Sequence, residues 1–187
     1  MFILAITPGE GYDEARWRRV LASGIDAVMI REKQMDARSL LALTRRTQEL
    51  APDLQIWVNG RLDVALAAGC GLHAPEAYPE VPEGLLPISR PLHDAADFPA
   101  RRAANQLILS PVFETPGKGS GLGSGTLRRW LDTLPPFPGR FLALGGITGD
   151  NCRELHHPRL AGVAMIRSLW TAADPAGVVG KLRDAWR

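Results

Sequence analysis

Long apolar runs are missing from this 187-residue chain. No stretch reaches the roughly 18–20 residues that a membrane-spanning helix needs. The opening Met1-Phe2-Ile3-Leu4-Ala5-Ile6 is too short for the apolar part of a secretory leader, lacks a basic segment before it and stops at Pro8-Gly9. A cytoplasmic protein away from membranes is the expectation. Cysteine is scarce: Cys70 and Cys152 form neither a CxxC pair nor a zinc spacing, so both are expected as free, buried thiols. An excess of one charge is absent too. The 22 basic and 20 acidic residues leave a net charge of +2, with no basic block, which argues against a nucleic-acid partner. Only three of the basic residues are lysines, Lys33, Lys118 and Lys181, so each stands out. No His/Asp/Glu cluster with metal-ligand spacing falls on the predicted strand ends. A P-loop, a GxGxxG after the first strand and a serine nucleophile elbow are likewise missing. The residues therefore imply neither a metal nor a cofactor.

What is present is an alternation. At 45% hydrophobic and 22% charged, the chain is suited to one folded domain over residues 1–187. Short apolar runs occur at Phe2–Ile6, Asp26–Ile30, Gln55–Val58, Gly71–Ala74, Leu86–Ser89, Leu107–Ser110, Phe141–Leu144 and Gly162–Ile166. Several are apolar throughout, as strands covered on both faces must be. Amphipathic segments lie between them, the clearest at Asp13–Ala22, Ala37–Leu50, Thr126–Leu134 and Asp174–Trp186. Parallel strands need crossovers, which helices supply. Eight such units predict an α/β fold, a (β/α)8 TIM barrel. It must be a trimmed one: Pro75, Pro79, Pro82 and Pro87 forbid a regular fourth helix, which is expected to be shortened or missing.

In such a barrel, function gathers at the C-terminal ends of the strands. Arg31 and Lys33, one residue apart after strand 2, share a face and suit an anion, a carboxylate or a phosphate; the alternative is a surface charge cluster. Asn59-Gly60 after strand 3 is either a helix-capping turn or an amide presented to a ligand. His93 after strand 5 offers an imidazole for acid–base work, unless it merely packs, and His73 competes with it. Residues 116–125 hold five glycines and Lys118, the composition of a lid or of a surface loop. Gly145-Gly146 after strand 7 and Arg167-Ser168 after strand 8 fit the phosphate station of these barrels.

Read in order, Val28-Met29-Ile30-Arg31-Glu32-Lys33, Val58-Asn59-Gly60-Arg61-Leu62-Asp63, Pro111-Val112-Phe113-Glu114-Thr115 with Lys118, and Ala143-Leu144-Gly145-Gly146-Ile147 resemble the thiamine phosphate synthase/TenI superfamily. The resemblance spans nearly the whole chain and implies a (β/α)8 barrel in thiamine biosynthesis. Its synthase branch joins hydroxymethylpyrimidine diphosphate to thiazole phosphate with Mg²⁺, using Asn-Asp after strand 3 and a second aspartate after strand 4. Here those segments read Asn59-Gly60 and His73-Ala74-Pro75-Glu76. The other branch, the TenI-like thiazole tautomerases, is closer in Asn59-Gly60-Arg61-Leu62-Asp63 and Val112-Phe113-Glu114-Thr115.

The resemblance thus implies an isomerase that aromatises a thiazole carboxylate phosphate, with His93 moving the proton. Arg31, Lys33 or Lys118 would hold the carboxylate, Asn59 and Thr115 the ring, and Gly145, Gly146, Arg167 and Ser168 the phosphate. The partner would be a phosphorylated thiazole, with thiazole synthase as the upstream enzyme. Apart from the resemblance, Trp57, Trp170 and Trp186 are candidates to mark an interface, such as that of a homodimer. Two rivals stand beside it: a thiamine phosphate synthase recruiting Glu76 or Asp63 for the metal, and a regulatory barrel that binds thiazole or thiamine phosphate without chemistry.

Overall fold

The computed structural model describes residues 1–114 and 121–187. Eight parallel strands close into a barrel with neighbours in chain order: β1 (Phe2–Ile6), β2 (Ala27–Ile30), β3 (Gln55–Asn59), β4 (Gly71–His73), β5 (Ile88–Leu92), β6 (Gln106–Leu109), β7 (Arg140–Leu144) and β8 (Leu160–Met165). The outer layer is formed by α1 (Glu14–Leu21), α2 (Ala37–Leu50), α3 (Leu62–Ala68), α4 (Phe98–Arg101), α5 (Gly123–Thr133), α6 (Arg167–Trp170) and α7 (Pro175–Ala185). Among the described residues, no helix is long and apolar enough to cross a membrane.

Strand alternation divides the core in two. Leu4, Ile6, Ala27, Met29, Trp57, Ile108, Leu142 and Ala164 fill the barrel interior. Their neighbours, among them Ile3, Ala5, Val28, Ile30, Val58, Leu72, Leu107 and Val163, face the helices. This two-faced burial is why the strands are apolar throughout. The interior also decides one glycine. A Cβ on Gly71 would stand 2.4 Å from the Trp57 ring, so the indole occupies the volume a β4 side chain would take. Trp57 and Trp170 are thereby committed to their own protomer: both are buried, and Trp170 packs edge-on against Trp17 at 5.1 Å. Trp186 lies against His156 at 5.9 Å. The expected interface thereby loses Trp57 and Trp170, while Trp186 is half-buried.

Helix starts follow their caps. Asp13 accepts from Arg16 N at 2.9 Å, Asp36 from Ser39 N at 3.0 Å, and Asp174 from Gly177 N at 2.9 Å with Pro175 in the first turn. No helix forms between β4 and β5, as the four prolines require. The β7–β8 crossover is also reduced, to a single 3₁₀ turn at Cys152–Leu155, which the sequence pattern did not signal. The free thiols of Cys70 and Cys152 are buried.

One strand lies later than its apolar run. β5 was expected at Leu86–Ser89 and spans Ile88–Leu92, because Asn105 Oδ1 accepts from Ile88 N at 2.8 Å and pins the start there, while Leu85 is left exposed. Ser89, Pro91 and His93 then occupy alternate, inward positions.

Candidate active site

The C-terminal mouth of the barrel opens into a cavity of about 930 Å³. Ile6, Met29, Ile108 and Ala164, at the top of the interior core, form its floor. Eight of the expected site residues line it together: Arg31, Lys33, Asn59, His93, Gly145, Gly146, Arg167 and Ser168. Thr115 and Lys118 lie outside the described residues.

The wall at the end of β2 is cationic. Arg31 N donates to Thr7 Oγ1 at 2.8 Å, which ties the strand end to the loop after β1. Between the two cations, Glu32 turns away and is buried; its Oε2 accepts from Gly11 N at 2.8 Å. That alternation points Arg31 and Lys33 into the cavity. Among the described residues, no carboxylate pairs with Arg31, Lys33 or Arg167, and residues 115–120 contain no acid.

Across the mouth, Gly145 and Gly146 have φ of +112° and +62°. A Cβ on Gly146 would meet Glu114 O at 2.7 Å and Phe113 Cβ at 2.8 Å. Glycine is needed here so that the β6 and β7 loops can touch, with Phe113 N donating to Gly145 O at 3.0 Å. The same absence of side chains opens backbone amides to a ligand. The amides of Arg167 and Ser168 start α6, where no intrahelical carbonyl reaches them.

The third wall holds the imidazoles. His93 Nδ1 donates to Ser110 O at 2.6 Å; a carbonyl only accepts, so this bond leaves Nε2 as the available nitrogen. His93 Nε2 stands 3.6 Å from Glu76 Oε2. Glu76 is already taken: Arg101 grips both of its oxygens, Nη1 lying 3.1 Å from Oε2. These hydrogen bonds hold the Glu76 carboxyl below its ordinary range, against a smaller opposing effect of burial. Deeper in, His73 Nδ1 lies 3.0 Å from Ser89 Oγ, which accepts from Gln106 Nε2 at 3.1 Å. Burial, reinforced by Arg31, Arg90 and His93, pushes the His73 imidazole down to about 4. It therefore stays neutral and serves as a polar floor group.

Arg101, Ser110 and Glu10 belong to the site or its support and escaped the sequence reading. Arg101 sits on α4, away from any strand-end motif, and only tertiary packing brings it to Glu76. Ser110 follows β6 and enters through its carbonyl, which no side-chain pattern announces.

Paired glycines after β7, the first amides of α6 after β8 and, among the described residues, cations without a carboxylate partner after β2 surround one cavity of a closed (β/α)8 barrel. The sequence profile of the thiamine monophosphate synthase family matches residues 3–169, and the chain belongs to that family. It is 34% identical over 181 residues to the thiamine-phosphate synthase of Moorella thermoacetica, covering 89% of this chain and 85% of that protein. It is 33% identical over 183 residues to the thiamine-phosphate synthase of Methanoculleus marisnigri, covering 89% and 84%. Among solved structures, the thiamine phosphate pyrophosphorylase of Pyrococcus furiosus superposes with a TM-score of 0.83 at 23% identity, over 99% of this chain and 95% of that one. This last likeness speaks to the fold.

These relatives overturn the tautomerase and isomerase expectation: the curated proteins that match most of the chain are synthases. The expectation leaned on Gly60 and on the missing aspartates.

The Mg²⁺ associated with synthases of this superfamily does not fit the residues here. The position beside Asn59 is Gly60, which has no side chain. Glu76 is clasped by Arg101. Asp63 sits on α3 in a two-pronged bond to Arg61, at 3.0 and 2.6 Å. Among the described residues, no group of three or more His, Cys, Asp or Glu side chains could hold a metal ion.

Proposed function

We propose that this barrel joins hydroxymethylpyrimidine diphosphate to a phosphorylated thiazole, releasing inorganic diphosphate and forming thiamine phosphate. The thiazole nitrogen gives its lone pair to the pyrimidine methylene carbon, forming a C–N bond. The C–O bond to the diphosphate breaks, and its electron pair leaves with that group. The observation that carries this reading is the presence of two separate anion stations in one cavity. Arg31 and Lys33 form one, at the end of β2; the Gly145-Gly146 and Arg167-Ser168 loops form the other, after β7 and β8. A single phosphorylated substrate that also carries a carboxylate would use two stations as well, but a reaction between two phosphorylated molecules requires them. The naming of the curated relatives points the same way.

In this reading the cationic wall binds the diphosphate and steadies its growing charge as the C–O bond parts. The glycine loops seat the thiazole phosphate. Asn59, at the end of β3 beside the cationic wall, orients a ring. Holding both molecules in one cavity supplies the approach geometry that a two-substrate reaction otherwise lacks.

The test is direct. The purified chain is incubated with both substrates, and thiamine phosphate is measured by mass spectrometry. Product above the protein-free control is expected, along with one diphosphate released per product. Binding of both molecules without product would favour the regulatory barrel instead.

A further inference from the structure

We infer that the cavity takes the diphosphate end of its substrate with protein cations alone, so that diphosphate binding needs no divalent ion. The inference rests on the synthase reading, in which a diphosphate enters this cavity, and concerns how its charge is met.

Three observations support it. First, the carboxylates that could recruit a cation are spent. Arg101 holds both oxygens of Glu76 and is itself largely buried, with 10% of its side chain exposed. Arg16 holds Glu10 at 2.7 Å, and Arg61 holds Asp63. Freeing Glu76 for a metal would break its two-pronged bond to a largely buried Arg101. Glu114, the remaining acid on the wall, is a single carboxylate.

Second, the positive side of the balance is uncommitted. Arg31, Lys33 and Arg167 line the cavity, and no described carboxylate pairs with any of them. Unpaired cations converging on a cavity repel an incoming metal ion and attract an anion. A guanidinium and an ammonium together offer a planar fork and a compact point charge, which suit the oxygens of a diphosphate.

Third, the Glu76–Arg101 pair faces His93 Nε2 at 3.6 Å. The place after β4 is thus occupied by an ion pair and an imidazole in contact with each other. A hydrated cation seated there would have to displace that contact.

The experiment is calorimetric titration of the full chain with inorganic diphosphate, in EDTA and in excess Mg²⁺. Binding in EDTA within about threefold of that in Mg²⁺ is expected, and Arg31→Gln or Lys33→Gln should each weaken it in EDTA by roughly tenfold. Thermal unfolding of the variants confirms that they are folded. Binding seen only with Mg²⁺, no binding in either buffer, or folded variants that bind like the wild type would each overturn the inference. So would tighter binding in Mg²⁺ that Glu114→Gln abolishes. If diphosphate binds without metal but the two-substrate assay yields no thiamine phosphate, the inference stands and the synthase reading falls.

Discussion

His73 illustrates how a single residue takes its character from its place. In a strand-end loop its ring would titrate near 6.5; at the cavity floor, beneath Arg31, it is held neutral down to about pH 4. The unfolded chain therefore binds a proton more readily than the folded one between those values. The stabilisation from this residue is full above about pH 6.5 and is lost as pH falls toward about 4. Urea unfolding at pH 7 and 4.5 should show a drop steeper in the wild type than in His73→Asn, by on the order of 2 kcal/mol. Equal slopes would mean that the imidazole is not desolvated. Several site residues were legible at this scale. Arg31, Lys33 and His93 announce themselves as polar groups just past apolar runs, and strand alternation turns them inward. Arg101 does not, because its partner Glu76 is 25 positions away and nothing local links them.

At the scale of elements, β3 and β4 act as one unit. Trp57 on β3 is accommodated only because Gly71, opposite it in register, has no side chain. Gly71→Ala should cost about 1–3 kcal/mol by overpacking, measured by chemical unfolding. Tryptophan emission should shift as the indole is displaced. Unchanged stability and emission would show that the ring has room to move. Helix caps and the proline-blocked crossover could be read locally, since both depend on residues within one turn. The position of β5 could not. Its start is set by Asn105, 17 positions on in the chain, and its later end carries the strand to Leu92, next to His93. The shrunken β7–β8 crossover is of the same kind: its residues lack a proline run, and its brevity reflects the space left between neighbouring layers.

For the molecule as a whole, closure depends on the two ends of the chain meeting. On α7, Arg183 reaches Gly24 O at 2.7 Å, Asp26 Oδ2 at 3.1 Å and Met1 O at 3.3 Å. Asp26 in turn accepts from Ile3 N at 2.8 Å. The last helix is thereby buttoned to the first strand, beside the β1–β8 seam. Arg183→Ala should lower stability by about 1–2 kcal/mol, or roughly 3–6 °C in Tm for a chain of this length. It should leave diphosphate binding intact, because the latch lies at the N-terminal ends of the strands, opposite the cavity. A variant with wild-type Tm would show that barrel pairing alone secures the seam.

The amino-acid sequence by itself determined the architecture, since eight doubly apolar strands separated by amphipathic segments leave one economical closure. It also marked the rim residues, because strand alternation is a local rule. The charge balance of the cavity was settled only in three dimensions. Whether Glu76 is a free ligand or a closed ion pair depends on which side chains meet across the barrel mouth. Those meetings link residues far apart in the chain, and no local pattern encodes them.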